Sequence, residues 1–360
     1  MTARYLGKLV GPQEMGRGLP FWLGFLAVIA AAAAAPEYLS RYELLNLSNF
    51  LTGAFLALGL CLMWGFCGIL SLGQAAFLGL GGYAYGVAGI NFIESHGNTW
   101  AALGIGLAVP VLVAAALGFI MFYARLKGVY VAILMLVVTL LIETFLNQTA
   151  GQGWYIGDAH LGGNNGLGRF SGVIREPPSL SFGIGAPGIV FEGPTRAFYY
   201  LTFGLLVFAY LTLRWLVNTK IGYVMVAIRE DPERTEALGY DIRFIQLCVF
   251  CLSALLAAIS GILYVSWGNF ITPEVFSVQN NILPVIWVAV AGRKSLTATV
   301  IGTLALVWLS QKLSVQGNYA LVVQGGILIA VMMLSPEGAI TGLVDRCQTL
   351  GRRLAARKAS

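Results

Sequence analysis

The longest uncharged stretch of the sequence, residues 44–93, constrains the fold more than any other feature. It runs for 50 residues without a single Asp, Glu, Lys or Arg. A segment that crosses the hydrocarbon core of a bilayer needs about 20 apolar residues, so this stretch is long enough for two spans. A soluble domain carries charges at about a quarter of its positions and would not contain such a stretch. The chain is therefore predicted to lie in lipid.

The composition and the other apolar runs extend this prediction to the whole chain, which is 58% hydrophobic and 11% charged. Lipid offers no partner for unpaired backbone groups, so the spans should be helices. The alternation over about 10 residues that a β-barrel requires is absent. We expect an all-α polytopic membrane protein with about ten transmembrane helices. The predicted spans are 20–38, 44–66, 69–92, 99–123, 128–147, 197–216, 244–268, 275–292, 296–314 and 319–337.

The positive charges predict the orientation of these spans. With the N-terminus inside, five of the 22 Lys and Arg residues fall outside or near the outer ends, which leaves seventeen inside. This is a strong positive-inside bias, so both termini should be cytoplasmic. The basic C-terminal tail can lie against anionic lipid headgroups, and no nucleic acid is needed to explain it. The outer residues are Arg41, Arg169, Arg175, Arg196 and Lys312.

The spans and loops divide the chain into three parts. Residues 1–18 form a cytosolic tail, 19–343 the transmembrane domain and 344–360 a second cytosolic tail. A long external loop, 148–196, separates the first five spans from the rest, and a charged cytosolic loop occupies 217–243. Two halves of five spans would be related as an inverted repeat, an arrangement that is common in transporters.

The cytosolic loop contains an unusual charged run. Between Arg229 and Arg243, eight of fifteen residues are charged. Asp231 is a good N-cap, Pro232 suits the first helical position and Gly239 can take the left-handed conformation that ends a helix. The pattern predicts a helix of about two turns over 232–238. Its mixed charges suit a specific protein partner better than a lipid surface, and a solvated capped loop is the alternative.

Two segments around these features resemble the ABC importer permeases of the branched-chain amino acid and urea group. "MVAIREDPERTEALGYDIRFIQLCVFCLSALLAAISGILY" (225–264) is similar to the family's inner-loop region, and "WGFCGILSLGQAAFLGLGGYAYG" (64–86) to its early signature. The resemblance extends over about 45–343. It implies a type II-like permease fold and identifies the charged helix as the one that inserts into the ATPase subunit. The residues assigned to this ATPase-coupling helix are Asp231, Pro232, Glu233, Arg234, Glu236, Ala237, Leu238 and Gly239.

The resemblance also implies the protein's partners. These are two ABC ATPase subunits that hold ATP and magnesium, a second homologous permease that forms a heterodimer, and a solute-binding protein on the outer face of a bacterial inner membrane. The chain itself lacks the Gly-x4-Gly-Lys-Ser/Thr motif, so no cofactor is expected on it. "LGGNNGL" (161–167) and "VIWVAVAGRKSL" (285–296) are closer to the urea or short-amide branch, whereas "PERTEALGY" is closer to the amino acid branch.

Polar residues within the spans are candidates for the translocation path, because such residues are costly in lipid and usually functional. Four are singled out: Ser71, Gln74, Glu143 and Asn280. Uncharged amides and hydroxyls would suffice for a neutral solute. The spans show no obvious pair of opposite charges for an amino acid. Urea or a short amide is therefore the first prediction, and a branched-chain amino acid is the alternative.

A stripe of small residues follows Gln74 at spacings of three and four, which places it on one side of a helix. In lipid such a stripe allows another backbone to come close, so tight helix packing is the expected role. Its residues are Ala75, Gly79, Gly82, Gly86 and Gly89.

Two other classes of function remain open. A stand-alone channel or carrier would account for ten spans but not for the charged run. A membrane enzyme would need a nucleophile beside a base, or a metal cluster, and the sequence offers neither at useful spacing. The two histidines, His96 and His160, fall in predicted loops and do not form a metal motif.

Overall fold

The computed structural model describes residues 19–126, 128–151, 153–168, 176–182, 189–193 and 195–314, together with 322–323, 325–326, 329–330 and 333. In this part of the chain the protein is built from eleven α-helices and four short strands. The helices are α1 (Leu19–Tyr38), α2 (Arg41–Leu60), α3 (Gln74–His96), α4 (Trp100–Tyr123), α5 (Val129–Asn147), α6 (Arg196–Val217), α7 (Lys220–Glu230), α8 (Pro232–Ala237), α9 (Ile242–Gly268), α10 (Val278–Ala291) and α11 (Leu296–Ser314). A π-helical turn, Cys61–Phe66, continues α2.

Eight helices in the described residues are long and apolar enough to cross a membrane. The fold is thus a helical, polytopic one, but two of the ten predicted spans need comment. The segment 275–292 contains only the 14-residue helix α10, which is about 21 Å long and shorter than the roughly 30 Å hydrocarbon core. The segment 319–337 lies mostly outside the described residues. The inverted repeat of five and five spans stays a prediction.

The prediction for the third span was wrong at its start. The expected helix began at residue 69, whereas α3 begins at Gln74. Gly68 has a φ of +77°, a conformation that ends a helix. Its N–H bonds to the carbonyl of Trp64 at 3.2 Å, so the chain turns before α3 starts.

The longest helix, α9, packs against α2, α3 and α4. Glycines allow these backbones to meet: a Cβ on Gly261 of α9 would overlap the carbonyl of Leu78, and one on Gly81 of α3 would lie 2.8 Å from the Cα of Ala258. A Cβ on Gly106 of α4 would in turn lie 3.2 Å from the carbonyl oxygen of Gly81. Close backbone approach of this kind is how helices associate in lipid.

Helix α1 lies at the edge of the bundle, and only 6% of its residues Phe21–Tyr38 are buried. Pro36 lacks the N–H that would bond to the carbonyl of Ala32. The hydroxyl of Tyr199 on α6 donates to this carbonyl at 2.8 Å, and that of Tyr200 donates to the carbonyl of Ala33 at 2.9 Å. Two tyrosines thus satisfy the backbone next to the proline and join α1 to α6.

The long loop 148–196, predicted to be external, contains two small hairpins in its described part, β1–β2 (Tyr155–Ile156 and Ala159–His160) and β3–β4 (Leu180–Phe182 and Ile189–Phe191). Asn91 of α3 holds the first hairpin, since its side chain donates to the carbonyl of Ile156 at 2.9 Å and accepts from the N–H of Asp158 at 2.7 Å. In its described part, the loop is therefore anchored to α3 near the end of that helix.

The contact between α3 and α9 yields a stability prediction. Gly261→Val should lower the melting temperature of the purified protein, because the new side chain would overlap the backbone of α3. Overpacking of this kind costs about 1–3 kcal/mol. Thermal unfolding in detergent measures the effect. Gly104→Val is the control, since nothing lies within 4 Å of a Cβ at that position of α4. Equal melting temperatures for the two variants would contradict the assigned contact.

Candidate functional site

A cavity of about 230 Å³ lies between α2, α3, α9, α10 and α11. No charged side chain is among the described residues that line it. Its lining combines polar side chains with small and aliphatic ones and with Trp287. The polar residues are Asn49, Thr52, Ser260, Tyr264 and Asn280. The small and aliphatic residues are Gly53, Leu56, Ala75, Leu78, Val275, Leu283 and Val307.

Three of these polar side chains are held by bonds to the backbone. The hydroxyl of Thr52 donates to the carbonyl of Asn49 at 2.7 Å, and the hydroxyl of Ser260 donates to the carbonyl of Thr52 at 2.8 Å. The amide of Asn280 donates to the carbonyl of Glu274 at 2.8 Å. Because the hydroxyl protons are used in this way, the hydroxyl oxygens are oriented as acceptors. The cavity therefore offers fixed dipoles and no ionised group.

The segment that precedes α10 enters the helix layer. The ring of Phe276 occupies the space where a Cβ on Gly79 would be, and Ile271 contacts Gly82 in the same way. Since Gly82 lies opposite Gly261 in the interior of the bundle, residues 271–276 lie between the helices and not above them. This explains why α10 is short: its first turn begins inside the layer, with Asn280 at the cavity.

The four residues predicted to line the path have different surroundings. Asn280 lines the cavity. Gln74 is buried next to Ala75, its amide donates to the hydroxyl of Ser253 at 3.0 Å, and its oxygen has no hydrogen-bond partner among the described residues. Ser71 is buried in the turn before α3 and accepts from the N–H of Gly73. Glu143 is half-buried on α5 and is not among the residues that line this cavity.

The small-residue stripe of α3 does not face a single neighbouring helix, which differs from the expected helix–helix contact. Instead it accommodates the cavity, the segment before α10 and the external loop in turn. Its neighbours are the cavity at Ala75, Phe276 at Gly79, Ile271 at Gly82, Leu167 at Gly86 and Pro178 at Gly89. The close approach of α3 to α9 uses Gly81, a residue outside the stripe, together with Gly82.

The charged run forms a short helix, α8, with the expected caps. The carboxylate of Asp231 accepts from the N–H of Arg234 at 3.1 Å, and Pro232 occupies the first turn. The helix ends one residue earlier than predicted, with Leu238 as its C-cap, and Gly239 follows with a φ of +88°. A second helix, α7, immediately precedes it and was not predicted.

Helix α8 is exposed almost throughout. Thr235 is its one buried residue, and the side chain of Leu238 just beyond is 76% exposed. Glu236 forms ion pairs with Arg125 at 3.4 Å and with Arg243 at 3.8 Å, which join α8 to the end of α4 and the start of α9. Exposed ion pairs of this kind contribute little stability, so α8 is held only weakly by them.

Several residues at the cavity were missed in the sequence. Asn49 and Thr52 are polar residues three positions apart within the longest uncharged run, which places them on one face of α2. That spacing was a usable signal. Ser260, Tyr264 and Trp287 carry no such signal, because isolated hydroxyls and aromatics are common in spans.

The sequence matches a known family over most of its length. The model of the family described as "Branched-chain amino acid transport system / permease component" matches residues 44–332. No solved structure matches the chain.

Three curated proteins are similar to the chain. The high-affinity branched-chain amino acid transport system permease protein LivM of Escherichia coli is 26% identical over 344 residues, which cover 92% of this chain and 78% of the relative. LivM of Salmonella typhimurium is equally similar. A probable branched-chain amino acid transport permease protein LivM of Methanocaldococcus jannaschii is 26% identical over 284 residues, which cover 70% of this chain and 75% of the relative.

The cap of α8 yields a local prediction. Asp231→Ala should speed amide hydrogen exchange in Pro232–Ala237, because loss of an N-cap costs about 1 kcal/mol and a helix of two turns is marginal without it. Asp241→Ala is the control. Asp241 caps α9, where its carboxylate accepts from the N–H of Phe244 at 3.2 Å, so this change should leave exchange in α8 unaltered. Unchanged exchange in the Asp231 variant would contradict the role of the cap.

Proposed function

We propose that this chain is a membrane-spanning subunit of an ATP-driven importer of branched-chain amino acids. The chain belongs to the permease family of branched-chain amino acid transport systems. The observation that carries the proposal is the cavity whose described lining is uncharged and combines polar with aliphatic side chains. The same chain exposes a capped helix, α8, whose residues are not among those that line the cavity. The relatives are named as permease proteins, and the chain is a transport subunit and not an enzyme.

A branched-chain amino acid, the alternative substrate from the sequence, is better supported than urea or a short amide, which was the first prediction. The comparisons name branched-chain amino acid permeases and give no support to the urea or short-amide branch. Leu56, Leu78 and Val275 offer an apolar surface that suits a branched aliphatic side chain. Urea has no apolar part that would gain from such a wall.

The charged ends of an amino acid need partners that an uncharged cavity supplies as dipoles. The first turn of α10 lies at the cavity through Asn280, and the positive end of the helix dipole there favours a carboxylate. Half-helix ends directed at an anionic group are a recurrent feature of transporter sites. The oriented hydroxyl oxygens of Thr52 and Ser260 would accept from an ammonium group. Weak binding by dipoles also permits release, which a transporter requires.

Energy would come from partner subunits through α8. The exposed helix offers charged side chains together with the exposed Leu238, a combination that suits a protein groove. We assign to α8 the docking of an ABC ATPase subunit. The importer would contain two such subunits, and these would hold ATP and magnesium. A second homologous permease and an external solute-binding protein would complete the importer. The positive-inside distribution supports a cytoplasmic location for α8 and both termini.

The substrate is testable in proteoliposomes that contain the complete importer and its solute-binding protein. ATP-dependent uptake of leucine, isoleucine and valine is expected, without uptake of urea or acetamide. Gly53→Leu should lower uptake about tenfold or more, because the added side chain fills the cavity beside Trp287. Gly204→Leu is the control, since nothing lies within 4 Å of a Cβ there.

Two outcomes of this experiment would overturn the proposal. One is uptake of urea with leucine excluded. The other is uptake by the chain alone, without ATP or partners, which would identify a stand-alone carrier.

The role of α8 is tested by two substitutions. Glu236→Lys places a third positive charge beside Arg125 and Arg243, and Gly239→Val forces a β-branched residue to positive φ. Each should lower the amount of leucine transported per ATP hydrolysed. Gly97→Val is the control, because Gly97 also has positive φ, with open space around it, at the far end of α3. Normal coupling in both α8 variants would show that this helix does not dock the ATPase.

A further inference from the structure

The end of α2 contains an irregularity that neither the family match nor the proposed function uses. Residues Cys61–Phe66 form a π-helical turn, a rare form that is frequent at functional sites. The turn closes with a bond from the N–H of Ile69 to the carbonyl of Met63 at 3.1 Å. Farther along the same helix, Asn49, Thr52 and Leu56 line the cavity. A shift of the π turn would therefore move α2 and, with it, the residues that this helix supplies to the cavity.

Arg229 contacts this π turn directly. It lies in the last turn of α7, and its guanidinium donates to the carbonyl of Gly65. Its Nε and Nη2 both donate to one carboxylate oxygen of Glu230, at 3.0 and 2.6 Å. This bonding and the charge of Arg229 hold the pKa of Glu230 below its usual range, so the carboxylate stays ionised near neutral pH. The guanidinium is thus fixed between Glu230 and the π turn.

The backbone of Arg229 is also close to the turn. A Cβ on Gly68 would lie 3.0 Å from the Cγ and 3.2 Å from the Cα of Arg229. Only a glycine permits this approach, and the positive φ at Gly68 favours glycine as well. The end of α7 therefore contacts the π turn through the side chain of Arg229, and its main chain lies against Gly68, two residues beyond the turn.

The end of α7 cannot move independently of α8. One residue, Asp231, is the C-cap of α7 and the N-cap of α8. Its N–H bonds to the carbonyl of Ala227 at 2.9 Å, while its carboxylate accepts from Arg234 in the next helix. A partner that displaces α8 thus displaces Arg229, which is only two residues before the joint.

The opposite side of the π turn contacts the connection between α10 and α11. The thiol of Cys61 donates to the carbonyl of Arg293 at 3.3 Å, and the same carbonyl fills the space beside Gly65. The guanidinium of Arg293 lies 5.4 Å from the ring centre of Trp64. Because α10 and α11 also line the cavity, the π turn is in contact with further walls of the site.

We propose that Arg229 is a positioning residue that transmits the displacement of α8 to the π turn, and through it to the walls of the cavity formed by α2, α10 and α11. The inference rests on the proposed function, since it requires an importer driven through α8. It adds the route by which that helix reaches the substrate cavity and the residue on which the route depends. Glu230 keeps the guanidinium directed at the carbonyl of Gly65.

The test uses the complete importer in proteoliposomes with its solute-binding protein. Arg229→Gln should lower leucine transported per ATP about tenfold, because a charge-assisted hydrogen bond and the contact it fixes are lost. Arg229→Lys, which can still donate to Gly65, should restore part of the coupling. Lys220→Gln, at the other end of α7, removes a positive charge away from the turn and should behave as wild type.

A second measurement separates transmission from a merely structural role. Amide hydrogen exchange in residues 61–69 should change on ATP binding in the wild-type importer, and this change should be lost in Arg229→Gln. If that variant does not assemble, the wild type decides: a change in 232–237 without one in 61–69 overturns the inference.

The remaining outcomes are also decisive. Wild-type coupling in Arg229→Gln overturns the inference while leucine import by the wild type still supports the proposed function. Failure of the wild type to import leucine overturns the proposed function itself.

Discussion

The contact between α3 and α9 organises the membrane domain. In lipid, no hydrophobic force presses helices together, so van der Waals packing and close backbone approach have to hold them. At Gly81, Gly82 and Gly261 the two backbones are as close as their atoms permit. The same helices supply Ala75, Leu78, Ser260 and Tyr264 to the cavity. One tight contact thus fixes the shape of the site at its centre.

Charge and polarity are separated along the molecule. The described lining of the cavity has only dipoles, whereas the end around α8 has arginines and carboxylates in ion pairs. A buried charge in the path would require desolvation and would hold a substrate too firmly. Charges near the surface are well solvated and can select a partner and its orientation. The separation therefore matches two different tasks, passage of a small molecule and recognition of a protein.

Much of this arrangement could be predicted from the sequence because lipid imposes simple rules. The long uncharged runs predicted the presence of all eight described spans, although the third begins at Gln74 and not at residue 69. Asp231, Pro232 and Gly239 predicted the ends of α8 to within one residue. The depth of residues 271–276 could not be predicted, because it depends on Gly79 leaving room for Phe276. Helix α7 was missed because its 11 residues are too few for a span, and its apolar centre, 221–228, lies between charged ends in a segment assigned to the loop. The π turn has no known sequence pattern, and its partner Arg229 is 164 residues away.

The attachment of α1 has a consequence for how this helix can vary among related proteins. Tyr199 and Tyr200 bond to main-chain carbonyls of α1, at the gap that Pro36 leaves in its hydrogen bonding. Carbonyl oxygens are common to all amino acids, so this attachment is independent of the alanine side chains of 30–35. Substitutions that keep the proline and fit the space can therefore accumulate in this segment without loss of its anchor. Loss of the proline would instead return the carbonyl of Ala32 to its own helix and leave the tyrosine hydroxyl to find another acceptor.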